Sequence, residues 1–189
     1  MTFEGTAHVY GDNVDTDVII PARYLTSTEP EELARHAMED IDAEFVSRVK
    51  PGDVIVGGRN FGSGSSREHA PIAIKGAGIS CIVAASFARI FYRNAINVGL
   101  PIVTCEGAAD GAQTGDRFRV DLEGGVVENL TKGRTFDSSP LPAIMKEILD
   151  AGGLMPWVAR SMASAPGGES HVTAGVPANE PPQADWRLD

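Results

Sequence analysis

A glycine-rich segment that joins an apolar strand pattern to a helix pattern constrains this chain more than any other feature. The apolar residues Val54 to Val56 are followed by Gly57-Gly58-Arg59-Asn60-Phe61-Gly62-Ser63-Gly64, and the pattern from Ser65 to Lys75 is helical. A strand, a glycine loop and a helix in this order direct backbone N–H groups and the positive helix end toward an anion. The segment therefore favours an α/β fold with a small-anion site at the loop.

Two nucleotide-binding motifs can be tested against this loop, and neither fits. A phosphate-binding loop needs a lysine after its second glycine, but Ser63 follows Gly62. A dinucleotide fingerprint needs a third glycine for close packing of helix and strand, and Arg67 occupies that position. The sequence therefore argues against nucleotide binding.

The loop delivers Ser65, Ser66 and Arg67 to the predicted helix start, and two interpretations of these residues remain open. Ser65 and Glu68 match the S-x-x-E capping box, which would give Ser65 a purely structural role. Alternatively, Arg67 beside a positive helix end favours a carboxylate ligand, with which arginine forms a bidentate pair. The same positive charge would stabilise a Ser65 alkoxide that abstracts a proton next to a carboxylate.

The rest of the chain alternates between strand and helix patterns, which predicts an α/β domain with a mixed sheet and flanking helices. Ser86 is predicted to cap the helix that follows the third strand, with Phe87, Ile90 and Phe91 on one face of it and Arg89 and Arg93 on another. The predicted strands are 3–10, 54–56, 79–84, 101–104 and the hairpin pair 117–122 and 126–130, and the predicted helices are 30–38, 65–75, 86–97 and 141–151.

Composition excludes several classes of function. Lys and Arg number 16 against 26 Asp and Glu, a formal charge of −10 without a basic stretch, so nucleic-acid and anionic-membrane binding are not expected. No apolar run approaches the roughly 20 residues of a membrane helix, and the start of the chain lacks a secretory signal pattern. Cys81 lies within an apolar run and is expected to be a buried, reduced thiol, from which we expect a cytoplasmic protein.

The two cysteines, Cys81 and Cys105, are too few and too far apart for a structural zinc or an ordinary iron–sulfur site. The segment 161–189 is dominated by Ala, Gly, Pro and Ser and has no apolar periodicity, which predicts a disordered tail. We therefore expect one domain over residues 1–160, without a metal or cofactor of its own.

Three ordered motifs make the chain recognisable. The run Gly62-Ser63-Gly64-Ser65-Ser66-Arg67-Glu68-His69-Ala70 resembles the serine loop of the swivelling domain of the aconitase superfamily. The run Ser86-Phe87-Ala88-Arg89-Ile90 with the later Gly99-Leu100-Pro101 resembles the next helix and strand of that family, and residues 11–25 are similar to the N-terminal signature of its stand-alone small subunits. Within the superfamily, the small subunits of 3-isopropylmalate dehydratase are the most similar.

This resemblance implies a β/β/α swivelling domain that closes over a separate large subunit in a heterodimer or heterotetramer. The large subunit would carry a [4Fe–4S] cluster, and this chain none. The resemblance implies Ser65 as the catalytic base, Ser66 and Arg67 as ligands of a substrate carboxylate, and Asp17 as an acidic residue near the site. The implied reaction is the interconversion of 2- and 3-isopropylmalate in leucine biosynthesis, by dehydration and rehydration.

Substrate choice in this family is attributed to the loop after Tyr24 and Leu25. Thr26 follows them, where subunits of the homoaconitase type tend to place an arginine, and an uncharged loop suits an apolar substituent. Arg23 precedes the pair, and the sequence does not give its direction. Homoaconitase, methylmalate and dimethylmalate dehydratases remain alternatives within the superfamily, and a non-catalytic anion-binding module remains an alternative outside it.

Overall fold

One mixed sheet of seven strands, in the order β4-β3-β2-β1-β5-β6-β7, organises the molecule. The structure is a computed structural model that describes residues 1–163. The strands are β1 (Thr2–Val9), β2 (Val54–Gly57), β3 (Cys81–Ala84), β4 (Ile102–Thr104), β5 (Arg117–Asp121), β6 (Val126–Asn129) and β7 (Arg134–Asp137). The helices are α1 (Thr16–Ile19), α2 (Pro30–Ala34), α3 (Phe45–Arg48), α4 (His69–Gly76), α5 (Arg89–Val98), α6 (Ala143–Asp150) and α7 (Leu154–Ala163).

Strands β1 to β4 are parallel to one another and form the buried half of the sheet. Every residue of β2 and of β3 is buried, which explains why both strands consist of continuous apolar runs. Helix α4 connects β2 to β3 and helix α5 connects β3 to β4, as parallel neighbours require. The serine loop therefore leaves the carboxyl end of a central strand.

Strands β5, β6 and β7 extend the sheet on the other side of β1 in antiparallel fashion. Phe118 and Val120 of β5 are buried while Arg117 and Arg119 are exposed, the alternation of a sheet with one solvated face. The predicted hairpin is confirmed, and so is the mixed sheet. Strand β7 was not predicted, because Phe136 is its only large apolar residue and it is half-buried.

Three predicted helix boundaries are wrong, and in each case a tertiary contact replaces the expected local one. Helix α4 begins at His69 instead of Ser65, and α5 begins at Arg89 instead of Ser86. Ser86 does not cap α5, because its Oγ accepts a hydrogen bond of 2.8 Å from the backbone N–H of Asn60. Helix α2 ends at Ala34, and the backbone N–H of Met38 donates to the carbonyl of Ile19 instead of continuing the helix.

The C-terminal part of the described chain is helical. Helix α6 ends at Asp150 before the two glycines, as the sequence predicts, but α7 then runs to Ala163. Helix α7 therefore continues three residues beyond the predicted end of the domain at residue 160. The rest of the predicted disordered tail lies outside the described residues. In residues 1–163 the structure contains no helix with the length and apolar character needed to cross a membrane.

Candidate active site

The serine loop between β2 and α4 depends on two glycines with positive φ. Gly62 has φ of 77°, and a Cβ on it would lie 2.1 Å from the ring of Phe91. Gly64 has φ of 93°, and a Cβ on it would lie 2.5 Å from the carboxylate oxygens of Asp15. Glycine is the residue that adopts these dihedrals without strain and leaves room for the two neighbours. The loop is thereby packed between α5 on one side and the start of α1 on the other.

Thr16, the first residue of α1, holds Ser65. The backbone N–H of Ser65 donates to Thr16 Oγ1 at 3.1 Å, and the two hydroxyl oxygens are 3.3 Å apart. The backbone N–H of Thr16 in turn donates to the carbonyl of Ser63 at 2.8 Å. Thr16 is completely buried and Ser65 is exposed. Buried Thr16 thus fixes the position of Ser65, and the Ser65 side chain remains at the surface.

This arrangement overturns the capping box between Ser65 and Glu68. The residue at the helix cap is Glu68, and no side chain caps the first turn of α4. Ser65 lies four residues before the first helical residue, so the positive end of α4 does not act on it directly. The helix dipole acts over about one turn and therefore has little effect at Ser65. The group that contacts the Ser65 hydroxyl is the hydroxyl of Thr16.

Ser66 follows Ser65 and is also exposed. Its carbonyl oxygen accepts a hydrogen bond of 3.2 Å from Nδ2 of Asn94. Asn94 is buried on α5, with 2% of its surface exposed, so the contact ties the serine loop to that helix. The hydroxyl of Ser66 is left at the surface beside that of Ser65.

Arg67 and Asp17 form an ion pair next to the two serines. The Arg67 side chain is 20% exposed and the Asp17 side chain 62% exposed. Asp15 caps α1 by accepting a hydrogen bond of 2.7 Å from the backbone N–H of Asp17, which fixes where the Asp17 backbone lies. The internal partner of Arg67 is therefore Asp17 of the N-terminal segment, while Glu68, its sequence neighbour, is not that partner.

The loop after Tyr24 and Leu25 carries no free arginine. Arg23 points to the turn after α2, where it binds Glu39 at 2.8 Å and Asp40 at 2.7 Å. The Tyr24 hydroxyl donates to the same Glu39 carboxylate at 3.0 Å. The hydrogen bonds from Arg23 and His36 lower the pKa of Glu39 to about 2. Thr26 is exposed and Leu25 is half-buried, so the loop presents an uncharged surface.

A cavity of about 510 Å³ opens beside Ser65, and it is lined by residues of α5 that the sequence analysis did not assign to the site. Its walls come from the serine loop and from the start of α5: Asn60, Gly62, Gly64, Ser65, Ala88, Arg89, Ile90 and Arg93. Of the predicted site residues, Ser65 lines this cavity and the others do not: Ser66, Arg67, Asp17, Tyr24, Leu25 and Thr26.

The thiols of the described chain do not suit a metal site. Cys81 lies in the centre of the sheet on β3 and Cys105 follows β4, and both are buried. Burial raises the pKa of Cys81 well above its ordinary range and, with Asp137, that of Cys105 to about 11. In residues 1–163 no three His, Cys, Asp or Glu side chains are grouped so that they could bind a metal ion.

Comparison with known proteins identifies the class of protein first. Residues 10–106, which include the serine loop and the start of α5, match the family model of the aconitase C-terminal domain. A crystal structure of 3-isopropylmalate dehydratase from Methanocaldococcus jannaschii is similar, with a TM-score of 0.82 and 48% identity. The similarity covers 86% of this chain and 96% of that one. The expected swivelling fold is therefore confirmed.

Two relatives identify the family within this class of proteins. The chain is 62% identical over 158 residues to the 3-isopropylmalate dehydratase small subunit of Caldicellulosiruptor saccharolyticus. The aligned residues make up 84% of this chain and 91% of the relative. It is 57% identical over 162 residues to the isopropylmalate/citramalate isomerase small subunit of M. jannaschii, covering 86% and 96% respectively. The chain belongs to the family of 3-isopropylmalate dehydratase small subunits.

Proposed function

We propose that this chain is the small subunit of a 3-isopropylmalate dehydratase and that Ser65 is the base of the reaction. The enzyme would interconvert 2-isopropylmalate and 3-isopropylmalate through isopropylmaleate, a step of leucine biosynthesis. One observation carries the proposal. In a chain that is 62% identical to a relative of that name, the family serine is exposed and fixed by buried Thr16 beside the ion pair of Arg67 and Asp17.

The role of Ser65 follows from its contacts. In the dehydration, the base takes the proton from the carbon next to a carboxylate, the C–H electron pair forms the double bond, and the hydroxyl group leaves from the neighbouring carbon. Thr16 Oγ1, at 3.3 Å, is placed to donate a hydrogen bond to Ser65 Oγ and stabilise its deprotonated form. In the rehydration, Ser65 returns the proton to the double bond.

Arg67 and Ser66 would orient the substrate through one of its carboxylates. A guanidinium binds a carboxylate through two parallel hydrogen bonds, which fixes both the position and the plane of the ligand. Arg67 is already paired with the carboxylate of Asp17, which is 62% exposed and able to move aside. Asp17 would hold the Arg67 guanidinium in position before substrate binds. Once substrate is bound, the guanidinium would contact both the Asp17 carboxylate and the substrate carboxylate.

A large subunit would complete the site. The names of the relatives imply such a partner. Its iron–sulfur cluster would supply the Lewis acid that takes the hydroxyl group of the substrate. The donor atoms of this chain do not fit a cluster of their own, because both thiols are buried within the fold and in residues 1–163 no other set of ligands is grouped. The exposed position of Ser65 lets it reach a substrate bound to the partner.

Citramalate is a second candidate substrate, because one relative at 57% identity is named for both isopropylmalate and citramalate. Citramalate carries a methyl group in place of the isopropyl group, and the uncharged loop around Thr26 would be compatible with either substituent. The additional carboxylate of a homoaconitase substrate would find no free cation there, since Arg23 is bound to Glu39 and Asp40.

The test is the activity of this chain combined with the large subunit from the same organism, measured on 2-isopropylmalate, citramalate and homocitrate. We expect turnover of 2-isopropylmalate, a smaller kcat/KM for citramalate and no turnover of homocitrate. Preferential turnover of homocitrate would contradict the assigned substrate. Failure of the pair to act on any of the three would favour the anion-binding module that the sequence left open.

A further inference from the structure

The cavity beside Ser65 is rimmed by two arginines without a carboxylate partner. Arg89 and Arg93 stand one turn apart on α5, are exposed and line the same cavity as Ser65. No carboxylate in residues 1–163 forms an ion pair with either guanidinium. Like charges four residues apart on a helix repel each other, so this pair costs the isolated subunit stability.

Most other arginines of the described chain are neutralised. Five of them form ion pairs with Asp or Glu side chains: Arg23, Arg48, Arg67, Arg117 and Arg119. The whole chain has a formal charge of −10. A positive patch on an acidic protein has an electrostatic potential opposite in sign to that of the rest of the surface. Such a patch is complementary to an acidic surface of another molecule.

Ile90 lies between the two arginines in the sequence and is exposed to 43%. The sequence pattern placed it with Phe87 and Phe91 on one apolar face, but only Phe91 enters the core while Ile90 lines the cavity. If another protein covered this face, the Ile90 side chain would supply an apolar contact between the two charged groups.

We infer that the face formed by Arg89, Ile90 and Arg93, the arginine face, docks against acidic side chains of the large subunit. This inference rests on the proposed function. If Ser65 acts on a substrate bound to the partner, the walls of its cavity must face that partner. The arginine face is part of those walls, so it would belong to the surface on which the subunits meet.

The experiment measures binding directly, independently of turnover. The full-length double variant Arg89→Gln/Arg93→Gln and the wild type are titrated against the large subunit from the same organism at low and high salt. We expect the dissociation constant to rise at least tenfold at low salt. The difference should shrink at 0.5 M NaCl, because screening there weakens exposed charge pairs. Arg35→Gln is the matched control, since Arg35 is also exposed and does not line the cavity.

Two further measurements separate this inference from its alternatives. The Arg35→Gln variant should keep the melting temperature of the wild type, and the double variant should melt at the same or a higher temperature, because it changes exposed side chains and removes the repulsion between the two arginines. The KM for 2-isopropylmalate is measured at saturating large subunit. A raised KM with an unchanged dissociation constant would mean that the arginines bind substrate, and it would overturn the inference. So would a double variant that binds like wild type. Binding of the wild type without isopropylmalate turnover would contradict the proposed function and leave the docking surface standing.

Discussion

Replacing Thr16 with valine tests whether the buried threonine positions Ser65. Valine has nearly the shape of threonine and lacks its hydroxyl group, so the packing of α1 is kept. The change removes the acceptor of the 3.1 Å hydrogen bond from the Ser65 backbone and the 3.3 Å contact with the Ser65 hydroxyl. Ser65 is then present but no longer makes either hydrogen-bonding contact with residue 16.

The cost follows from these two contacts. A hydrogen bond contributes about 1 kcal/mol net, and at 3.3 Å the contact between the hydroxyl groups is longer than usual and weaker. Ser65 is exposed, so water can satisfy its freed N–H group. We expect a loss of about 1 kcal/mol in the free energy of unfolding, or roughly 2–4 °C in melting temperature for a domain of this size. Poor placement of the base should lower kcat about 10- to 100-fold.

The matched control is Thr16→Ser, which keeps the hydroxyl group and removes a buried methyl. It should lose about 1 kcal/mol of stability through lost packing and still keep a kcat near that of wild type. Thermal unfolding of the isolated subunit and steady-state turnover of the reconstituted pair give both quantities. A Thr16→Val pair with the kcat of wild type would show that Ser65 is positioned without Thr16.

Three further predictions follow from the same contacts. Gly64→Ala should lower the free energy of unfolding by about 2 kcal/mol, because residue 64 has a positive φ and a Cβ there would clash with Asp15. Gly11→Ala, where a Cβ meets nothing within 4 Å, should unfold like wild type. Equal melting temperatures for the two variants would contradict this prediction. Glu39 has a folded pKa of about 2 against an ordinary value of 4.5, so its contribution to stability is present above pH 4.5 and is lost as the pH falls toward 2. Urea unfolding at pH 5 and pH 3 should therefore show a smaller loss for Glu39→Gln than for wild type, and equal losses would refute the assignment. Cys105 has a pKa raised to about 11 and Cys81 is buried, so both thiols should react with a thiol reagent at pH 8 only after unfolding; rapid labelling of the native protein would count against their burial.

The sequence predicted the sheet and the serine loop because both are specified locally. The continuous apolar runs of β2 and β3 and the glycines around Ser63 carry their structural meaning within a few residues. The same local pattern predicted a capping box at Ser65, and that prediction was wrong. The true partner of Ser65 is Thr16, 49 residues earlier in the chain, and no spacing rule connects the two.

The direction of the charged side chains depended on tertiary structure as well. Arg67 pairs with Asp17 across the loop, and Arg23 turns to Glu39 and Asp40, which follow α2. The sequence placed Arg89 and Arg93 on one face of the predicted helix, but helical periodicity does not show that Ile90 lines the same cavity as the two arginines and Ser65. The roles of Ser65, Ser66, Arg67, Asp17 and Thr26 in catalysis stay predictions until they are measured.

Turnover of 2-isopropylmalate by the large subunit paired with wild type or with Ser65→Ala is the decisive measurement. Because Ser65 is exposed, alanine should leave folding and subunit binding unchanged. If Ser65 is the base, kcat falls about 10²- to 10⁴-fold while the dissociation constant of the pair stays that of wild type. A Ser65→Ala pair that turns over 2-isopropylmalate at nearly the wild-type rate would mean that another group removes the proton.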